Sequence, residues 1–397
     1  MDFKLIGSTL LIVGTSIGAG MLALPIATAQ LGFAGSMILL LACWFIMTSG
    51  AFLIMEVNLW MPQNSNLVSM AKATIGPIGQ LLAWATFLLL LYSLLCAYIA
   101  GGSDLFRNLL LTGGVNIPAW LSAILFTGVF GLVVYMGIKS VDYVNRGLMF
   151  VKLGAFILLI LLLVPFISYV NMAAGEMQAM SSTTAIMVTI TSFGFAAIVP
   201  SLRIYFAGDV RKLKTAILVG SLIPLVCYTA WDAVIMGIIP LDGSTGLISI
   251  LQSKSSTSDL VNTLTNIVAH ERVTFFTKLF TSICVLTSFL GVALCLTDFL
   301  SDGLRIEKIG LGNLFIQLLT LIPPLVIVLF FPNAFIKALQ YAGVYCVILL
   351  ILLPAWMAWT GRYHRGIAKG FRVIGGKSLL AMLIVVSLIL IVKSIVG

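Results

Sequence analysis

Eleven apolar stretches of bilayer-crossing length dominate this 397-residue chain, near 6–29, 32–60, 79–109, 117–138, 147–170, 183–206, 215–238, 273–300, 311–331, 334–358 and 378–396. About 20 consecutive apolar residues carry a helix across the hydrocarbon core. In lipid every backbone N–H and C=O needs an internal partner, so such runs resolve into helices. The chain is therefore expected to be an all-α integral membrane protein. Its composition leaves little else, with 61% apolar and only 9% charged residues, against about 45–50% and about 25% in soluble domains.

Connections between the stretches are short and marked by polar residues or Pro and Gly, such as Met61-Pro62-Gln63-Asn64 and Phe331-Pro332-Asn333. The long one, 239–272, is rich in Ser and Thr. Ser258-Asp259 there suits the start of a short helix with Leu260, Val261, Leu264, Ile267 and Val268 on one face, lying over the surface. Lys4, the first apolar stretch and Ala27-Thr28-Ala29 have the outline of a cleavable signal. That stretch is too long for one and is interrupted at 14–20, so it is expected to stay as the first span.

Charge sets the orientation. With the N-terminus inside, the inner side receives sixteen basic residues: Lys4, Lys72, Lys139, Arg146, Lys152, Arg203, Arg211, Lys212, Lys214, Arg305, Lys308, Arg362, Arg365, Lys369, Arg372 and Lys377. The outer side receives six: Arg107, Lys254, Arg272, Lys278, Lys337 and Lys393. This is the positive-inside asymmetry, and one missed span would scramble it. The same scatter into short clusters speaks against nucleic-acid binding despite a net charge of +9. Six cysteines lie singly in apolar runs beside only two histidines, so no metal site or disulfide framework is expected.

Helix-breaking residues recur in matching positions. Span one carries Gly14, Gly18 and Gly20 before Pro25, and span six carries Thr191-Ser192-Phe193-Gly194-Phe195 before Pro200. A shift of 175 residues lays Pro25 on Pro200, Ser16 on Thr191 and Ala19 on Gly194. Each break opens a set of five spans. Five is odd, so the second set enters the membrane inverted, as in transporters with discontinuous helices at mid-membrane. The expected organisation is a first five-helix repeat over 1–170, a second over 183–358 and an eleventh helix at 378–396. Unwound backbone lining a cavity supplies directional ligands. The N–H groups opening the second half of span one suit a carboxylate, and freed carbonyls suit an ammonium. Together they would receive an α-amino-acid head group without a charged side chain.

The segment Gly14-Thr15-Ser16-Ile17-Gly18-Ala19-Gly20-Met21-Leu22-Ala23-Leu24-Pro25 resembles the hydroxy/aromatic amino acid permease family. So do Ser192-Phe193-Gly194-Phe195 with Pro200-Ser201-Leu202, and Thr287-Ser288-Phe289-Leu290-Gly291 with Asp298-Phe299 and Asp302-Gly303-Leu304. The resemblance covers the whole chain and is nearest to the bacterial tyrosine permeases; relatives for tryptophan, serine or threonine share these motifs. It implies a LeuT-like fold, alternating access and proton symport in a bacterial inner membrane. No cofactor is implied beyond the coupling proton, with sodium as the alternative. The expected partners are an aromatic amino acid and membrane lipid, with no obligatory protein partner.

The expected head-group site is Ser16, Ile17, Gly18, Ala19 and Gly20, with Phe193 and Gly194 opposite. Tyr92, Cys96 and Ile99 share one face of span three; Tyr92 either bonds the carboxylate or packs between helices. Phe195 is the natural wall of an apolar side pocket, with Phe193 as a lid. Lys152, the one basic residue within span five, either snorkels to the inner interface or turns inward to Thr287 and Ser288, where sodium-coupled relatives hold a cation. Among the intramembrane acids, Asp104, Asp298 and Asp302 are near span ends and expected to be solvated or capping. Glu56 is ambiguous, and Asp232 is deep enough to need a partner or a proton. Gly375-Gly376-Lys377-Ser378 ends like a phosphate loop, but Phe371 stands where its first glycine would be. No HExxH or GxSxG pattern occurs, so an enzyme and a channel are the weaker alternatives to a transporter.

Overall fold

The computed structural model describes residues 3–331 and 334–396, and every regular element among them is helical. Pro332 and Asn333 of one expected connection lie outside the described residues, as do the side chains of Lys139 and Arg146. The chain opens with α1 (Phe3–Ser16) and α2 (Ala19–Ala27), bent by 51° at their junction, then α3 (Gly32–Trp60) and the short α4 (Leu67–Thr74). It continues through α5 (Pro77–Thr112), α6 (Ala119–Tyr135), α7 (Ile138–Leu163) and α8 (Tyr169–Ala173). The middle of the chain is α9 (Thr183–Ser192), α10 (Val199–Tyr205), α11 (Val210–Ile238), α12 (Leu247–Gln252) and α13 (Ser256–Val268). Last come α14 (Glu271–Leu304), α15 (Gly310–Phe330), α16 (Ala334–Val347), α17 (Leu353–Tyr363) and α18 (Gly376–Val396).

Nine helical segments among the described residues are long and apolar enough to cross a membrane, and the bent α1–α2 pair makes a tenth. The expected fourth span is α6, apolar but only 17 residues long. The expected fifth span begins earlier than its apolar run, because the polar stretch after Gly137 is already helical. It ends at the 3₁₀ turn Val164–Phe166, where Pro165 sits.

The segment after α7 is a packed cover and not a slack loop. The Asn171 amide donates to Gly237 O at 3.2 Å and Ile238 O at 3.3 Å, satisfying carbonyls left over at the end of α11. Glu176 N–H donates to Gln30 O at 2.8 Å. Gly32, with φ +64°, turns beneath this cover, where a Cβ would lie 2.1 Å from Ala174 O. Only glycine fits there.

The helix expected in the 239–272 connection is α13. Its own N-cap, Ser255, makes no side-chain bond, and Asp104 of α5 caps it instead. That carboxylate accepts from Ser258 N–H at 2.8 Å, Ser258 Oγ at 2.8 Å and Thr257 Oγ1 at 2.6 Å. Asp104 is thus a tie between elements, not a solvated end residue. Leu260, Val261, Leu264 and Val268 are buried as expected, while Ile267 faces outward. Asp298 pairs at the surface with Lys308, and Asp302 is exposed.

Glu56 also finds its reason. It is fully buried and accepts from Arg362 Nε at 2.7 Å, from Val373 N–H at 2.7 Å and from Arg362 Nη2. This fork pins α3 to α17 and to the chain leading into α18. Nearby, α16 passes into α17 through a π turn, Ile348–Leu352. Pro354 has no N–H to return to Leu350 O, and Gly50 of α3 lets that carbonyl approach to 2.1 Å of where a Cβ would be.

Candidate functional site

The break in span one follows from its sequence. After Ser16 the chain leaves the helix, Gly18 is extended (φ −151°, ψ −150°), and α2 starts at Ala19. Any residue adopts that backbone, so the requirement for glycine is space: a Cβ at Gly18 would fall 2.2 Å from Ser288 Oγ. Three backbone groups freed by the break are met by three other spans. Ile17 O accepts from Lys152 Nζ of α7 at 2.7 Å. Ala19 N–H donates to Ser288 Oγ of α14 at 3.2 Å, and Ser288 in turn donates to Cys284 O at 2.8 Å. Ser16 O accepts from the Tyr228 hydroxyl of α11 at 2.6 Å.

Span six breaks more gently. After α9 ends at Ser192, Phe193 leads into the 3₁₀ turn Gly194–Ile198, and α10 resumes with Pro200 in its first turn, where a missing N–H costs nothing. The helical path is not sharply bent, so the full unwinding expected here is replaced by a tightened turn. The Tyr228 hydroxyl lies 2.8 Å from Ser192 O as well as on Ser16 O. One phenol therefore touches the last carbonyl of both leading half-helices, Ser16 and Ser192, which are 192 − 16 = 176 residues apart. The second half of span one packs on the first half of span six, α2 against α9, and α1 packs against the 3₁₀ turn.

Around the breaks the structure gathers Ser16, Ile17, Gly18, Ala19, Gly20, Phe193, Lys152, Thr287 and Ser288. Gly20 approaches Ser192, whose Oγ would lie 3.0 Å from an added Cβ. Phe193 and Phe195 are fully buried, and the Phe193 ring meets Tyr228 edge-on at 5.2 Å. Gly194 has only an ordinary contact in prospect, Cys346 Sγ at 3.6 Å from a Cβ, so sterics do not require it to be glycine. Ser16 Oγ is buried with no hydrogen-bond partner in the protein.

Lys152 is fully buried and turned inward, with Thr287 Oγ1 at 3.4 Å as its second contact. The interfacial-anchor alternative does not describe this geometry. No carboxylate pairs with it among the described residues.

Two expected site residues face elsewhere. The Tyr92 hydroxyl donates to Leu319 O of α15 at 2.8 Å, and Cys96 Sγ lies 3.8 Å from Pro324 O of the same helix. Both brace α5 against α15, the packing alternative for Tyr92. Sequence reasoning passed over Tyr228, and also Tyr98, whose hydroxyl interacts with Ser288. A signal for Tyr228 existed: it stands four residues, one helical turn, before Asp232 in an otherwise apolar stretch.

A span broken at glycines and held by a buried lysine matches a described group of proteins along its whole length. Residues 1–394 match the tryptophan/tyrosine permease family. The chain belongs to that family. This permease is 36% identical over 389 residues to tyrosine-specific transport system 1 of Haemophilus influenzae, covering 98% of this chain and 95% of the relative. It is 32% identical over 380 residues to a tryptophan-specific transport protein of Pseudomonas aeruginosa (94% and 90% covered). It is also 31% identical over 404 residues to glutamine transporter 2 of Aliivibrio fischeri, at full coverage of both. The permease is accordingly a multi-pass transport protein of the bacterial inner membrane and not an enzyme.

Proposed function

We propose that this permease imports an aromatic amino acid, tyrosine first among them, by proton symport with alternating access on a LeuT-like 5+5 inverted repeat. The eleventh helix, α18, stands outside the repeats, and the N-terminus is cytoplasmic. The substrate carboxylate is received by Ser16 Oγ and by N–H groups opening α2 other than that of Ala19, which Ser288 holds, and the ammonium by the remaining lone pairs of carbonyls around the two breaks. The ring lies against Phe193 and Phe195. The inverted repeat is supported by the Ser16 and Ser192 carbonyls meeting one phenol and by the packing of α2 on α9. Tyrosine is supported by the relatives named for tyrosine and tryptophan.

The observation that carries the coupling is the Lys152 ammonium on Ile17 O, the carbonyl freed by the break. A charged group that deep, without a carboxylate, is costly in a membrane and marks a functional position. Loss of its proton would weaken this charge-assisted bond to Ile17 O and loosen the α1–α2 junction, linking protonation to the opening of the site. The Thr287 hydroxyl donates to Ile283 O and turns its oxygen towards the ammonium at 3.4 Å, which favours the proton reading over sodium.

Uptake of labelled tyrosine into proteoliposomes under imposed gradients tests this reading. Accumulation should follow an inward proton gradient and ignore sodium. Lys152→Gln, which keeps hydrogen-bond donors without the charge, should retain tyrosine binding and lose accumulation. Sodium-driven uptake, or unchanged accumulation by Lys152→Gln, would overturn the coupling; preference for glutamine would overturn the cargo.

A further inference from the structure

Asp232 of α11 is fully buried, and its surroundings leave an ionised carboxyl short of donors. The count starts at Thr28, at the end of α2. The Thr28 hydroxyl lies 2.8 Å from Leu24 O, which also accepts from Thr28 N–H at 2.9 Å. Ser36 Oγ of α3 lies 3.1 Å from Thr28 Oγ1. Yet Ser36 Oγ also lies 2.5 Å from Asp232 Oδ2. A serine has one proton. If that proton goes to Thr28, the short Ser36–Asp232 contact takes its proton from the carboxyl; if it goes to Asp232, one hydroxyl is all the compensation a fully buried charge would receive. The other oxygen, Oδ1, is buried without any donor, which a neutral C=O tolerates far better than a carboxylate.

Among the described residues no cation is at hand to alter the count. The elements packed on α11 carry Lys4, Glu56, Lys152, Arg203 and Asp259 as their described charged residues, and each is engaged elsewhere. Lys4 lies over the Tyr205 ring, Glu56 pairs with Arg362, and Lys152 holds Ile17 O. Arg203 bonds Asn58 and Met61, and Asp259 takes the Ser253 hydroxyl. On α11 itself, Arg211, Lys212 and Lys214 are at the opposite end, and Tyr228 faces the two breaks. Tyr169 of α8 is exposed, and Cys43 of α3 and Cys227 of α11 are free thiols that bring no positive charge.

We propose that Asp232 is a second proton-binding site, carrying its proton towards Ser36 and thereby tying α11 to α3 and to the end of α2. This site is distinct from Lys152: it lies by the far end of α2, beneath the cover formed by 171–176, whereas Lys152 is at the break. Deprotonation would leave a buried charge with one hydroxyl donor and turn the Ser36 proton from Thr28 to the carboxylate, weakening the Asp232–Ser36–Thr28 chain. The end of α2 would then be loosened from α11, and it is α2 whose other end opens onto the amino-acid site.

The test reads the proton directly and requires no gradient, so it stands whether or not Lys152 couples transport. Infrared spectra of the full chain in lipid are compared between wild type and Asp232→Asn at neutral pH. Loss of a protonated-carboxyl C=O band in the variant, with no loss of carboxylate bands, is expected. Ser36→Ala, which leaves the acid in place, should keep the band and shift it to higher frequency as its hydrogen bond disappears. If the wild type minus Asp232→Asn difference contains only carboxylate bands, or if Ser36→Ala leaves the band unmoved, the proposal is overturned.

Discussion

Gly18 illustrates how a single residue can be required for space alone. Its backbone is extended and open to any side chain, but a methyl group there would sit 2.2 Å from Ser288 Oγ. Rotating that hydroxyl away would break its bonds to Ala19 N–H and Cys284 O together. Gly18→Ala should therefore cost about 1–3 kcal/mol of stability, the range for overpacking a filled site, and abolish tyrosine binding. Gly18→Ala combined with Ser288→Ala should regain most of the stability, because the clashing atom is gone, while binding stays impaired. Thermal unfolding in detergent and equilibrium binding of labelled tyrosine would read both. Stability losses that simply add in the double variant would show that the two residues do not meet.

Among elements, the junction of α3, α17 and the lead into α18 rests on one buried ion pair. The fork between Glu56 and Arg362 is completed by Val373 N–H, so removing one partner leaves a charge or a donor stranded. Arg362→Ala should lower stability by about 3–5 kcal/mol, the usual consequence of breaking a buried pair from one side. Glu56→Gln with Arg362→Gln should be milder, since no charge is then left alone. Chemical or thermal unfolding of the reconstituted protein distinguishes these, and equal losses in both variants would argue that the pair is not buried in the membrane-embedded protein. The two broken spans differ at this scale as well. Gly18 and Gly20 let span one part by 51°, whereas span six has one glycine at its turn and tightens into a 3₁₀ segment instead.

For the whole molecule, the site around the breaks is closed by residues from α1, α2, α7, α9, α11 and α14, which are far apart in the chain. A ligand that bridges them stabilises the folded state in proportion to its affinity, by about 2.7 kcal/mol at a hundred times its Kd. Tyrosine should raise the melting temperature of the purified protein, and lysine and glutamate should not, because no fixed charge among the described residues pairs at Phe193 and Phe195. Equal stabilisation by glutamate would point to a different substrate class.

Spans, broken glycine-rich segments and the charged residues needing a reason were all legible in the sequence, because bilayer thickness and backbone satisfaction act on runs of neighbouring residues. Gly14 to Gly20 in an apolar run, Pro25 and Pro200 at matching positions, and Lys152 among apolar neighbours needed no partner to be noticed. What each polar group bonds to was not legible. Tyr92 and Tyr228 are both tyrosines in apolar spans, yet one braces Leu319 while the other bridges Ser16 and Ser192. Likewise Glu56 meets an arginine 306 residues away, and Asp232 meets a serine. Hydrophobic periodicity says that a side chain is buried, but its partner depends on how distant helices cross, and only the tertiary structure decided that.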